Sequence, residues 1–238
     1  MIVFPEAGEA TMTFIGSAKP SSAAAPLSDE PSERDPSANR RRAESRARVS
    51  VRRYCAANGI DRLASLTFAP PFCTDPDELR RHLARFVRRL RYERGKKFPY
   101  VWVPELHKDG VKLHAHFGLN SFIAKDRLAE LWGHGWTDIR LVRSRESRSP
   151  ADHSRVTARY LSKYVGKAFD ESDTFGCHRY EVAQGCQPRC DRRVFPSEQE
   201  ARDWAVSLMG DALPTRVWNS TAQPDWEGPD VEVAFWSS

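Results

Sequence analysis

The segment YVWVPELHKDGVKLHAHFGL, residues Tyr100 to Leu119, decides the fold. Tyr100 to Leu106 is an apolar run rich in β-branched and aromatic residues, and Val111 to Ser121 is a second one. Between them stands Lys108-Asp109-Gly110, whose Asp-Gly pair signals a tight hairpin turn. Two antiparallel strands are therefore predicted. Side chains alternate along a strand, so His114 and His116 share one face while Ala115 takes the other. The antiparallel partner brings Glu105 close to the two imidazoles. Two imidazoles and a carboxylate form a 2-His-1-carboxylate set with open positions for water or phosphate oxygens. Its ligand types accept Mg²⁺, Mn²⁺ or Zn²⁺ alike. The competing reading is a surface strand with incidental histidines.

The flanking sequence extends the sheet. Leu63 to Ala69 (LASLTFA) reads as a strand stopped by Pro70-Pro71. Asp75 or Asp77 can cap a helix running to about Arg94, with Leu79, Leu83, Phe86, Val87 and Leu90 inward and arginines outward. Asp126 to Trp132 reads as a short helix closed by Gly133, Trp136 to Val142 as a strand, and Arg143 to His153 as a polar loop. A helix follows from about Ser154 to Ala168. The order β-α-β-β-α-β-α predicts an α+β fold, an antiparallel sheet with helices on one side, of the ferredoxin-like or RNA-recognition type. Residues 1–38, rich in Ala, Ser, Pro and Glu, read as a disordered leader. Asn39 to Asn58 reads as a basic helix opening a domain that ends near residue 175. Residues 176–238 read as an extension, helical from Ser197 to Met209, with an acidic tail.

Net charge is +5 over 238 residues, and its distribution says more than its size. Seven arginines lie between Asn39 and Arg53 against one acidic residue, and seven more between Asp77 and Arg94. No basic residue follows Arg216. A basic front half points to a polyanion partner, and a solvated helix face is the alternative. No apolar run approaches the ~18 residues of a membrane span, and Glu6 and Glu9 interrupt any signal-like start. A cytoplasmic protein is expected. Five cysteines without a signal argue against a disulfide framework. Cys177, His178, Cys186 and Cys190 lack the C-x₂-C knuckle of structural zinc sites and read as free groups.

A second constellation is Tyr160-Leu161-Ser162-Lys163-Tyr164-Val165-Gly166-Lys167. Positions 160, 163, 164 and 167 fall on one helix face, which then carries two phenols and two ammonium groups. One reading is amphipathic packing with snorkelling lysines. The other is chemical: lysines or a metal favour the phenolate, and a tyrosine then attacks phosphorus while the metal polarises the phosphate.

Taken together, LTF (Leu66 to Phe68), VPELHKDGVKLHAHF (Val103 to Phe117), WGHGW (Trp132 to Trp136), YLSKYVGKAF (Tyr160 to Phe169), the basic run before Gly59 and HRYEVAQG (His178 to Gly185) resemble the HUH endonucleases. Within that superfamily the chain looks like a rolling-circle replication initiator of actinobacterial plasmid or phage type. The resemblance covers roughly residues 40 to 190 and implies a nicking and joining domain over 39–175. It implies His114, His116 and Glu105 as ligands of Mg²⁺ or Mn²⁺, Tyr160 and Tyr164 as nucleophiles, and Lys163 and Lys167 as phosphate or proton-handling groups. It further implies cleavage of single-stranded origin DNA through a 5′-phosphotyrosine, with host helicase and polymerase as partners, since the chain holds no G-x-x-x-x-G-K-[ST] loop. Arg80, Arg81, Arg85, Arg88 and Arg89, with Arg40, Arg41 and Arg42, are the expected phosphate contacts. Trp132, Trp136 and His134 are candidate stacking surfaces, with at least one tryptophan expected in the core. A non-catalytic origin-binding or copy-control protein is the alternative, as is a transposase or relaxase with the same chemistry.

Overall fold

Burial of the apolar faces predicted above builds a layered α+β structure. A computed structural model describes residues 1–14, 36–95, 98–143, 150–170, 179–224, 226 and 229–237. Its elements begin with β1 (Ile2–Phe4), β2 (Glu9–Thr13), α1 (Pro36–Ala57), β3 (Arg62–Thr67), α2 (Pro76–Arg94), β4 (Tyr100–Leu106) and β5 (Leu113–Leu119). They continue with α3 (Lys125–Trp132), β6 (Thr137–Leu141), α4 (Pro150–Asp170), β7 (Glu181–Val182), β8 (Asp191–Arg192), α5 (Glu198–Leu208), β9 (Arg216–Asn219) and β10 (Val231–Phe235). The chain divides into two compact units, one of residues 43–188 and one of residues 1–42 with 189–238.

In the unit of residues 43–188 the sheet order is β6-β3-β5-β4-β7, every neighbouring pair antiparallel. The first four strands follow the fourth-first-third-second order of a ferredoxin-like β-α-β-β-α-β unit. Asp75 caps α2 by accepting the Asp77 N–H at 2.9 Å. Leu79, Leu83, Phe86 and Leu90 of α2 are buried against the sheet face that carries Leu66, Ala115 and Phe117. Phe86 meets Phe117 edge-to-face at 5.2 Å and Trp132 of α3 at 5.8 Å. Each such buried side chain stabilises the fold by about 1.5–3 kcal/mol.

Helices flank both faces, not one. Residues opposite Phe117 in the alternation, His114, His116 and Gly118, lie under α4, whose apolar stripe is Ala158, Leu161, Val165 and Ala168. That stripe needs a surface to bury against, and α2 and α3 already occupy the other face. Gly118 makes the approach possible. A Cβ there would stand 2.9 Å from Ile60 Cγ2 and Val101 Cγ1 and 3.1 Å from Leu161 Cδ1. The missing side chain lets α4 settle on the strand that bears the histidines.

The other unit corrects the reading of both chain ends. Residues 1–14, expected to be disordered, form β1 and β2, which join a five-stranded sheet of order β8-β1-β2-β10-β9. The stretch after Leu213 contributes β9 and β10. Val3, Ala10, Ala205 and Trp236 form its core, with α5 against the sheet. Arg202 of α5 holds Glu232 of β10 through Nε at 3.1 Å and Nη2 at 3.0 Å. The rest of the expected leader, 15–35, lies outside the described residues, as do 144–149 of the polar loop and Cys177 and His178 of the cysteine cluster. Among the described residues Cys55, Cys73, Cys186 and Cys190 are free thiols, and no helix is long and apolar enough to cross a membrane.

Candidate active site

The hairpin register sets the site. Glu105 on β4 lies directly opposite His114 on β5, and His116 lies opposite Val103 and Ser65. His114 Nε2–H donates to Glu105 Oε2 at 2.8 Å and His116 Nε2–H donates to the same oxygen at 2.6 Å. The Lys167 ammonium donates to the other oxygen, Oε1. Ser65 Oγ stands 3.4 Å from His116 Nδ1 and so helps fix which ring nitrogen faces the carboxylate. The ligand atoms of Glu105, His114 and His116 all lie within 4.8 Å of one another. Among the described residues no other group of three His, Cys, Asp or Glu side chains converges in this way. This donor set fits a divalent cation, and it does not by itself select which one.

Electrostatics match that use. Burial pushes the Glu105 carboxyl up, yet hydrogen bonds from His114, His116 and Lys167 outweigh it and hold the group well below the usual carboxylate range. Burial lowers the pKa of His116, and Glu105 offsets only part of that. An ionised carboxylate and a neutral imidazole are the states in which these groups bind metal. The triad opens onto a cleft of about 650 Å³ that also meets His107, Lys108, Lys167 and Asp170.

Helix α4 lays its polar stripe along this cluster. The Tyr164 ring stacks on the His116 imidazole at 3.5 Å between centroids and 17° between planes. Lys167 Nζ lies 5.7 Å from the centre of the Tyr164 ring. One turn earlier Tyr160 is 37% exposed, and its ring lies between Lys163 Nζ at 5.3 Å and the Arg140 guanidinium at 5.5 Å. The helix face inferred from i, i+3, i+4, i+7 spacing thus meets the two histidines. The expected depression of the phenol pKa by lysine is not what the geometry gives at Tyr164. Burial raises it, Glu105 adds to the rise, and Lys167 and Arg140 oppose both without prevailing.

The arginines are distributed differently. Those of α2 stand on the helix that covers the opposite sheet face, so Arg80, Arg81, Arg85, Arg88 and Arg89 are not gathered round the triad. Arg80 pairs with Asp77 at 2.6 Å, Arg81 lies 3.7 Å from Asp75, and Arg89 donates to the Leu131 carbonyl at 2.8 Å. Arg85 and Arg88 are exposed. So are Arg40, Arg41 and Arg42 in the opening turns of α1, which belong to the unit of both chain ends. Of the WGHGW residues, Trp132 is fully buried and Trp136 exposed. His134 Nε2 lies 3.0 Å from His82 Nδ1, on the α2 side of the sheet. Three residues near the site escaped sequence reasoning: Ser65, His107 and Arg140. Ser65 and Arg140 reach it through strand register alone. His107 carried a signal, because it continues the hairpin into the turn.

Comparison with known proteins adds one finding. Residues 61–169 match the model of a family of replication-associated proteins, described by the name ORF2. No curated protein and no solved structure matches the chain. The matched stretch begins just before β3 and ends in α4, so it holds Glu105, both histidines, both tyrosines and both lysines. This supports a role in replication.

Proposed function

We propose that the chain initiates rolling-circle replication by nicking and rejoining single-stranded origin DNA. The observation that carries this reading is the stack of Tyr164 on His116, which ties a phenol-bearing helix to a 2-His-1-carboxylate cluster. A divalent cation held by Glu105, His114 and His116 supplies Lewis-acid polarisation of the scissile phosphate. The phenolic oxygen of Tyr160 or Tyr164 attacks phosphorus, the bond to the 3′-oxygen breaks, and the phenolic proton ends on the departing 3′-hydroxyl. One phosphodiester replaces another, so no nucleotide cofactor is consumed. Lys163, Lys167 and Arg140 offer cations to the phosphate beside the phenols. The free 3′-hydroxyl primes a host polymerase, a host helicase separates the strands, and reversal by that hydroxyl reseals the nick.

The test is incubation with single-stranded DNA of the replicon encoding this chain, with Mn²⁺ or Mg²⁺, scored for a protein–DNA adduct that survives denaturant. The adduct is expected in wild type and absent from the Tyr160→Phe/Tyr164→Phe double variant. The single variants assign the first nucleophile. Tight binding with no adduct, on DNA containing the origin, would refute the nicking reading in favour of a non-catalytic origin-binding protein.

A further inference from the structure

Trp136 is an exposed aromatic with a place in the sheet that relates it to the candidate site. Its side chain is 60% exposed, whereas Trp132, four residues earlier, is buried. The strand ladder continues through it, because the Thr67 N–H donates to the Trp136 carbonyl at 2.9 Å. Thr137 is buried opposite Leu66 on the face that α2 covers. Alternation therefore turns Trp136 to the opposite face, the one that bears the triad. Reading across the strands on that face gives one row: Trp136, Thr67, His114, Glu105. Two interstrand spacings, about 10 Å, separate Trp136 from His114. Gly135 holds the residue in this position. With φ +148°, its missing Cβ leaves room for the Ala69 nitrogen, which would otherwise lie 2.3 Å away, and any side chain there would push the strand end off β3.

Further along the same edge strand, and on the same face, stand Asp138 and then Arg140. Arg140 flanks the Tyr160 ring, and Asp138 has Lys125 Nζ at 3.8 Å. A large apolar surface left in water at a sheet edge contributes nothing to the core. Beside a cluster suited to phosphate chemistry it has the shape and polarity of a platform for an unpaired base.

We infer that Trp136 is a binding residue for single-stranded DNA, stacking a base of a nucleotide that flanks the phosphate held at the triad. This rests on the proposed nicking function and adds to it the path of the strand, along the triad face of the sheet towards β6 and away from the arginines of α2. Stacking on an aromatic side chain is sequence-tolerant, so Trp136 adds affinity and position more than sequence choice.

The test is equilibrium binding of a fluorescein-labelled oligothymidine to the full chain without added metal, so that no cleavage intervenes, for wild type, Trp136→Ala, Trp136→Phe and Tyr92→Ala. Tyr92 is 94% exposed on α2 and controls for loss of a surface aromatic. Trp136→Ala is expected to weaken binding at least about fivefold. Trp136→Phe should recover most of that loss, Tyr92→Ala should bind as wild type, and the salt dependence should keep its slope because no phosphate contact is removed. Unchanged thermal melts of the variants exclude unfolding as the cause. Wild-type affinity in Trp136→Ala, with adduct formation intact in wild type, overturns this inference and leaves the nicking reading standing. Equal losses in Trp136→Ala and Tyr92→Ala overturn it too. A wild type that binds no single-stranded DNA overturns both.

Discussion

Gly118→Ala separates the two halves of the candidate site, because the metal ligands lie entirely on strands and the tyrosines entirely on a helix. The new methyl meets Ile60 Cγ2 and Val101 Cγ1 at 2.9 Å and Leu161 Cδ1 at 3.1 Å, against the ~3.5–4.0 Å of a relaxed carbon contact. Ile60 and Val101 are buried in the sheet layer, so the displacement falls mainly on Leu161 and the helix carrying it. Overpacking of this kind costs about 1–3 kcal/mol, and the reduced freedom of the unfolded chain returns about 0.4–1 kcal/mol. A net loss of roughly 1–2 kcal/mol is expected in urea unfolding. Metal affinity measured by titration calorimetry with Mn²⁺ should stay near wild type, since Glu105, His114 and His116 keep their strands. Adduct formation should fall, because Tyr164 sits one turn from Leu161 and its 3.5 Å stack on His116 depends on that approach. A variant as stable as wild type, or one that loses metal affinity while retaining adduct formation, would refute the argument.

Other outcomes follow from the same geometry. Lys167→Met removes a half-exposed cation from Glu105, so Mn²⁺ should bind about two- to fivefold tighter while adduct yield drops; weaker Mn²⁺ binding would contradict the contact seen at Oε1. His114→Ala combined with His116→Ala should abolish any rise in melting temperature produced by Mn²⁺ in wild type, whereas a persistent rise would put the cation elsewhere. Cys190 is exposed, Cys55 is fully buried, and burial pushes the Cys73 thiol up to about 11. Peptide mapping after brief alkylation at neutral pH should therefore find Cys190 labelled well ahead of Cys73 and Cys55. Deleting residues 1–14 removes β1 and β2 from their sheet, and limited proteolysis should then cut residues 189–238 quickly; unchanged resistance would mean that β9 and β10 hold without them.

What the sequence disclosed depended on how local each signal was. The hairpin at Asp109-Gly110, the cap at Asp75 and the apolar stripe of α2 are written within a few residues, and each was readable. The pairing of Glu105 with His114 followed from the turn, and the Tyr/Lys face of α4 from helical spacing. Amphipathicity alone does not say which face of a sheet a helix covers, so α2 and α4 could not be assigned to opposite sides, nor the α2 arginines set apart from the triad. Ser65 and Arg140 reach the site only through register with strands far along the chain. β1 and β2 are three and five residues long and gain stability only from β8 and β10, distant in sequence, so their composition looked like that of a disordered leader.

That last pairing has a consequence for how the protein is made. Strand β2 leaves the ribosome long before its partner β10, whose Val231 pairs with Thr13. At ordinary translation rates the wait is on the order of 10–40 s. Well before it ends, every residue of the triad and of the tyrosine helix has been synthesised, while β2 still presents an open edge to its surroundings. Early termination would therefore yield chains that hold the whole candidate active site and carry an adhesive strand ahead of it, a product whose removal falls to chaperones and proteases.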